Sequence, residues 1–125
     1  MIYTSYFGNK KAFNDPNICP ISIALYPSKE FVGKSYRALA PNASTLRDWK
    51  QDHSISNYER DYAATLDKLD PGIVVVELLA MAGNLKGVNY NPQPALLCYE
   101  RPGEFCHRHI VAEWLRNAGY EIEEL

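Results

Sequence analysis

Short blocks of hydrophobic and polar residues follow one another along this chain in an order that predicts alternating strands and helices. Ile2–Ser5 is a β-prone run followed by a Gly-Asn turn, and Ile21–Leu25 alternates with a period of two. Residues 95–99 are apolar throughout, which is typical of a strand buried on both faces of a parallel sheet. Tyr120–Leu125 alternates again and predicts a closing edge strand.

Two helices are predicted in the middle of the chain by their caps and their spacing. Asn42 is a candidate cap for a short helix over residues 43–51. Ser56 and Glu59 fit a capping box, in which hydroxyl and carboxylate each satisfy a backbone donor. Apolar and tyrosine residues then recur at helical spacing, so an amphipathic helix is expected over residues 57–69.

Two further helices are predicted in the second half of the chain. Three consecutive valines favour a strand by propensity, but Asp70-Pro71 is the pattern of a helix cap and first turn. We therefore predict a buried helix over residues 71–82. The last helix opens at Cys106 and closes at Gly119, and it carries an apolar stripe at Ile110, Val111, Trp114, Leu115 and Ala118.

The segments between these elements are predicted to be loops. Prolines and glycines mark residues 16–20, residues 83–94 and the turn over residues 100–105. Residues 27–41 have no clean period either. They combine basic and aromatic side chains, which indicates either a binding loop or a packed Ω-loop.

This order of elements predicts the fold class. Strands alternating with helices indicate an α/β fold, a small sandwich in which a mostly parallel sheet is flanked by helices. The length suits a single domain over residues 1–125. Ligands of such sheets bind beyond the carboxyl ends of the strands. Those ends carry Ser5, Tyr6, Tyr26 and Glu100, and the last helix begins at the same edge, so a site is expected there.

Composition and charge narrow the function only slightly. A formal net charge of −2 gives no electrostatic reason to expect nucleic acid or an acidic membrane as a partner, although a local patch would allow nucleic acid. The start of the chain shows no secretory signal pattern, and the longest apolar run is too short to span a bilayer. Three widely spaced cysteines do not suggest a disulfide framework. We therefore expect a cytoplasmic protein with reduced thiols.

The start of the last helix concentrates the residues best suited to chemistry. Cys106 lies at a helix N-terminus beside His107 and Arg108, surroundings that favour a thiolate nucleophile. The alternative is that Cys106 is a small buried hydrophobic residue, which is our interpretation of Cys98 and Cys19. His107 lies at the centre of the apolar stripe, and it is either a catalyst or a hydrogen-bonded core residue.

Arg108 and Glu100 also allow two interpretations. Arg108 is either a clamp for an anionic ligand or the partner of a carboxylate such as Glu100 or Glu104. Glu100 is correspondingly a general base or a structural partner of the arginine. Helical spacing places His107 and His109 on opposite sides, so they cannot share a metal ion. The sequence therefore predicts no metal site and indicates no cofactor.

The C-terminal segment LLCYERPGEFCHRHIVAEWL resembles the signature of the uncharacterised family numbered 488 among the domains of unknown function. That signature is an apolar L-L-C-x-E strand, a short loop, C-H-R and an amphipathic helix. Residues 21–41 and 69–79 are similar to the matching earlier portions. The resemblance implies a compact α/β domain with its patterned residues at one edge, here Glu100, Cys106, His107 and Arg108. It supports a helix over residues 71–82, and it implies no particular activity.

Two functions remain in competition at this point, beside a purely structural role for the Glu100–Arg108 pair. The first is an enzyme acting on a small phosphorylated or sulfur-containing substrate, with Cys106, Glu100 and His107 as catalytic residues. The second is a non-catalytic nucleotide or nucleic-acid binding module that uses Arg108 and the loop over residues 28–41. In both cases a small anionic ligand is expected. The candidate binding residues are Arg108, Ser5, Tyr6, Tyr26, Lys29, Lys34, Tyr36 and Arg37.

Overall fold

A computed structural model of the protein describes residues 1–100 and 104–125. Within these residues five strands form one sheet in the order β3-β2-β4-β1-β5, and neighbouring strands pair in parallel. The strands are β1 (Ile2–Tyr6), β2 (Ile18–Ser22), β3 (Lys34–Ser35), β4 (Gln93–Cys98) and β5 (Ile122–Glu124). The predicted α/β fold with a parallel sheet is confirmed.

Helices alternate with the strands along the chain, as the pattern predicts, except that β3 follows β2 directly. They are α1 (Lys11–Asn14), α2 (Ala43–Asp52), α3 (Ile55–Leu66), α4 (Pro71–Met81) and α5 (His107–Asn117), with a 3₁₀ turn at Arg37–Leu39. The four predicted helices are confirmed with small shifts of their ends. Helix α1 is missing from the prediction because a single turn is too short to show a helical period.

The helix N-termini show which local signals decide the structure. The Asp70 carboxylate accepts hydrogen bonds from the backbone N–H groups of Gly72 and Ile73, so α4 is a capped helix and the valine run is not a strand. The predicted cap of α3 is wrong. Ser54, whose Oγ accepts from the Asn57 N–H at 3.3 Å, caps the helix in place of Ser56.

Both ends of β2 differ from the prediction, since residues 18–20 belong to the strand and not to a loop, and the strand ends at Ser22 and not at Leu25. Pro20 lies inside β2 and is paired with Ala95 of β4. In the described residues β3 pairs with β2 only at Ile21 and Ser22, so the strand is an edge at Pro20. A proline without an N–H is tolerated at an edge. Likewise, residues 27–41 are not free of structure, because they contain β3 and the 3₁₀ turn.

The main hydrophobic core lies between one face of the sheet and helices α3, α4 and α5. Its fully buried side chains include Ile21 and Leu96 from the strands and Tyr62, Leu78 and Leu115 from the helices. A smaller cluster on the other face contains Ala12, Ala95 and Leu97. No helix in the described part of the chain is long and apolar enough to cross a membrane.

The connection from β4 to α5 positions the candidate site. Strand β4 lies in the middle of the sheet and ends at Cys98, and α5 begins at His107 beyond the same edge. The predicted turn over residues 100–105 includes residues 101–103, which lie outside the described residues. The end of a central strand and the start of a helix thus meet at one place.

Candidate functional site

A cleft of about 390 Å³ opens at the carboxyl edge of the sheet, beyond the ends of β2 and β4. Cys98, Cys106 and His107 lie together in it. Aromatic side chains from α2, α3 and the segment before α5 form much of its remaining lining, and these are Trp49, Tyr58 and Phe105. Lys50, His53 and Glu100 add polar groups. A concave, mainly apolar surface with a few convergent polar groups is typical of a small-molecule site.

Two cysteines meet in this cleft. The Sγ atoms of Cys98 and Cys106 are at bonding distance, 2.00 Å apart, and the Cα atoms are 7.2 Å apart. Both residues are buried. Cys98 is buried, as its interpretation as a small buried hydrophobic residue expects, but it lies against Cys106, and the expectation that the cysteines do not pair is wrong. In the sequence the two cysteines are eight residues apart, and nothing there indicates that they meet. The fold brings them together because the end of β4 lies against the start of α5.

His107 is held beside these sulfurs in a defined orientation. Its Nε2 lies 2.8 Å from the backbone oxygen of Ile23. A carbonyl oxygen only accepts, so Nε2 carries the hydrogen and Nδ1 of the neutral ring carries a lone pair. Nδ1 lies 3.8 Å from the Sγ of Cys106. Burial lowers the pKa of His107 to about 4, the Ile23 hydrogen bond opposes this shift, and the charge of Arg108 adds to it.

Arg108 is fully buried and its donors are nearly all occupied. Its Nε and Nη2 donate to the two carboxylate oxygens of Glu124 at 3.1 and 2.9 Å. Its Nη1 lies 3.0 Å from the Sγ of Cys98 and also donates to the backbone oxygen of Glu100. The predicted carboxylate partners, Glu100 and Glu104, are wrong, because the C-terminal strand β5 supplies Glu124. The guanidinium thus braces Cys98 and has little capacity left for a ligand.

Glu100 follows β4 and lines the cleft with its side chain partly exposed. Its backbone oxygen is tied to Arg108, while its carboxylate lies close enough to Tyr58 to influence that phenol. Burial raises the pKa of Tyr58, and the negative charge of Glu100 raises it further. Tyr58 therefore stays protonated and can donate a hydrogen bond into the cleft.

The candidate binding residues of β1 are Ser5, which is buried in the sheet, and Tyr6, which is partly exposed. Ser5 is inaccessible to solvent, and its Oγ accepts a hydrogen bond from the side chain of Asn9 at 3.0 Å. The Tyr6 ring lies 5.8 Å from the Arg108 guanidinium, a cation–π contact that supports the arginine. Tyr26, by contrast, is largely exposed and lines the cleft.

The candidate binding residues of the basic and aromatic loop are not part of the cleft lining that the described residues form, to which this loop contributes Pro41. Lys29, Lys34 and Arg37 are exposed, and the Lys34 ammonium donates to the backbone oxygen of Met81. Tyr36 is buried and donates from its hydroxyl to Glu77 at 2.9 Å. The structure therefore does not bring this loop together with Arg108.

Several cleft residues have no counterpart among the sequence candidates. The Trp49 and Phe105 rings are 4.9 Å apart, and the Tyr58 ring meets Phe105 edge-on at 5.0 Å. Trp49 and Tyr58 are visible in the sequence as apolar positions of two helices. Their meeting with Phe105 depends on how α2 packs against α3 and α3 against α5, and this packing leaves no signal in a single sequence.

The comparison with known families matches the region that builds this site. The model of the family DUF488-N3a, described as the active DUF488-N3 subclade, matches residues 19–119. The chain belongs to this family. The match runs from β2 to the end of α5 and confirms the resemblance noted in the sequence. As a domain of unknown function, the family assigns no reaction to the cleft.

No curated protein matches this chain, and no solved structure matches it.

Proposed function

We propose that this protein is a thiol-dependent enzyme whose reactive group is the cluster of Cys98, Cys106 and His107. The supporting observation is the meeting of two sulfurs and an oriented imidazole nitrogen in one cleft. A nucleophile beside a base that a third group orients is the usual arrangement for nucleophilic catalysis. The family description as an active subclade is in keeping with an enzyme.

The roles of the three residues follow from their positions. Cys106 precedes the first turn of α5, where free backbone N–H groups favour a negatively charged sulfur. His107 Nδ1 accepts a hydrogen bond from the Cys106 thiol and orients it, because its Nε2–H is fixed on the Ile23 carbonyl. Cys98, with Arg108 donating to its sulfur, serves as the second thiol.

Paired thiols favour sulfur chemistry over phosphoryl transfer. In the proposed reaction, the Cys106 thiolate attacks one sulfur of a small disulfide, and the other half of the substrate leaves as a thiolate that takes up a proton. The Cys98 thiolate then attacks the Sγ of Cys106 and releases the second half. The products are two substrate thiols and a Cys98–Cys106 disulfide, so electrons and atoms balance.

The substrate is proposed to be small and anionic. The cleft of about 390 Å³ suits a small molecule, and Lys50 supplies a cation in its lining. The binding-module hypothesis is less favoured because its principal cation, Arg108, is buried against Glu124. Thiols that must be regenerated require a reducing compartment, so we place the enzyme in the cytoplasm.

Selective alkylation tests this proposal. The reduced native protein is treated with iodoacetamide at neutral pH, and the modified peptides are quantified by mass spectrometry. Each rate is divided by the rate of the same cysteine in urea. We expect this normalised rate to be at least about tenfold higher for Cys106 than for Cys19, because Cys106 lines the cleft beside a helix N-terminus.

Cys19 is the internal control. It lies partly buried in β2, and burial raises the pKa of its thiol, with Lys34 opposing the shift. The variant Cys19→Ser should leave the other rates unchanged, and Cys98→Ser should leave Cys106 as the reactive thiol. A Cys106 that reacts no faster than Cys19 after normalisation would remove the nucleophile from the proposal.

A further inference from the structure

We infer that the reduced cluster is also a binding site for a soft divalent cation of the Zn²⁺ class, held by the sulfurs of Cys98 and Cys106 and by Nδ1 of His107. The inference rests on the proposed function only in that both use the same two thiols. It concerns the binding equilibrium of the metal ion with the protein in the absence of substrate, and it adds a form of regulation of the reactive thiol. A thiolate that coordinates a metal is not free to attack a substrate.

The three ligand atoms are already gathered. They all lie within 4.8 Å of one another, and the Nδ1 of His107 is 3.8 Å from the Cys106 sulfur. Zinc binds thiolate at about 2.3 Å and imidazole at about 2.0 Å, so ligand atoms around one ion are roughly 3.5–3.8 Å apart. The imidazole–sulfur spacing is therefore close to that of two ligands around one ion.

The backbone leaves room for the ion between the two sulfurs. The Cα atoms of Cys98 and Cys106 are 7.2 Å apart, slightly more than the roughly 4.4–6.8 Å usual for disulfides. In the reduced state, rotation about the Cα–Cβ bonds separates the sulfurs to the distance of about 3.8 Å that two zinc ligands require. The anchoring elements, the end of β4 and the start of α5, can stay in place.

His107 is oriented as metal-binding histidines usually are. Its outer nitrogen donates to the backbone oxygen of Ile23 at 2.8 Å, which fixes the ring and leaves the Nδ1 lone pair for a ligand. Metal-bound histidines almost always make such a second hydrogen bond to a carbonyl or carboxylate. The Tyr62 ring meets the imidazole edge-on at 5.4 Å and restricts its rotation.

The surrounding charges are balanced for a divalent ion. Two thiolates neutralise the ion, while the buried Arg108 is neutralised separately by Glu124. The Arg108 donor at 3.0 Å from the Cys98 sulfur supplies the outer hydrogen bond that a thiolate ligand accepts. The three ligands line the cleft, so a fourth position is open to water or substrate.

This proposed metal site differs from the metal site that helical spacing excludes. That exclusion concerns His107 and His109, which do lie on opposite sides of α5, since the first is buried and the second exposed. Cys98, and not His109, supplies the remaining ligand, because β4 ends beside α5. Soft sulfur donors with one imidazole select zinc-like ions over Mg²⁺ or Ca²⁺.

Titration of the full chain with Co²⁺ and Zn²⁺ tests the inference. Co²⁺ is added to the protein kept reduced by a phosphine, and the thiolate-to-cobalt absorption band is recorded. We expect one Co²⁺ per chain with a tetrahedral spectrum, and stoichiometric displacement of the band by Zn²⁺. Cys98→Ser, Cys106→Ser and His107→Gln should each weaken binding at least about tenfold, whereas Cys19→Ser should bind as the parent does.

A second measurement guards against variants that fail to fold. Parent protein oxidised to the Cys98–Cys106 disulfide should lose the band and regain it on reduction. A missing band in the reduced parent, or a band that persists in the oxidised parent, would overturn the inference. The proposed function fails separately. Rapid alkylation of Cys106 without metal binding leaves the enzyme proposal standing, and metal binding by thiols that are inert without metal removes it.

Discussion

Replacing Glu124 with Gln is expected to lower the free energy of unfolding by about 3 kcal/mol. The substitution removes the charge that balances Arg108, whose side chain is completely buried while that of Glu124 is 30% exposed. An arginine cannot lose its proton to escape burial, so the folded state keeps an uncompensated charge. Urea unfolding of both proteins followed by circular dichroism measures the difference.

Glu123→Gln is the matched control for this prediction. Glu123 is the preceding residue of β5 and is exposed, so the same change of charge should alter stability by less than about 0.5 kcal/mol. Adding Arg108→Met to Glu124→Gln should recover part of the loss, because the unpaired cation disappears. Equal stabilities of the two glutamate variants would show that the Arg108–Glu124 pair does not support the fold.

The second large effect is a loss of stability in acid caused by His107. Burial lowers its pKa to about 4 in the folded protein, whereas an unfolded histidine titrates near 6.5. Below about pH 6.5 the unfolded ring gains a proton that the folded ring excludes until about pH 4. The stability contribution is therefore complete above the higher pH and decreases by roughly 3 kcal/mol as the pH falls through this window.

Urea unfolding of the reduced, chelator-treated protein at a series of pH values measures this effect. His107→Gln removes the titrating ring, so its stability should decrease less steeply than that of the parent between about pH 6.5 and 4. His53→Gln, at an exposed position of the cleft rim, should follow the parent curve. Parallel curves for the parent and His107→Gln would show that the folded ring accepts its proton as readily as the unfolded one.

Local signals in the sequence are sufficient for most of the fold. Asp70 with Pro71 indicates that α4 is a helix, because the Asp70 cap satisfies two backbone donors of the first turn. The valine run alone would leave the choice between helix and strand undecided. Gly119 ends α5 with a positive φ of 96°, as a glycine at this position predicts. The start of β2 is not predictable in this way, because Pro20 is acceptable only where β3 leaves the strand edge free.

The candidate site is predictable only where it is local. Cys106, His107 and Arg108 are consecutive at the start of α5, and the first two line the cleft at the sheet edge. Cys98 belongs to β4 and Glu124 to β5, so both reach the site only through the order of the strands in the sheet. In that order β5 lies beside β1 and not beside β4. A single sequence does not carry that order. The arginine consequently has the wrong predicted partner, and one of the two sulfurs is missing from the prediction.

The most direct test of the account is whether Cys98 and Cys106 act as one pair of thiols in the folded protein. Phenylarsine oxide bridges two neighbouring thiols and binds single thiols weakly, and its adducts are located by mass spectrometry. We predict one arsenical per chain, bridging Cys98 and Cys106, lost in either serine variant and retained in Cys19→Ser. An absent adduct, or one that survives Cys98→Ser, would contradict the paired-thiol centre.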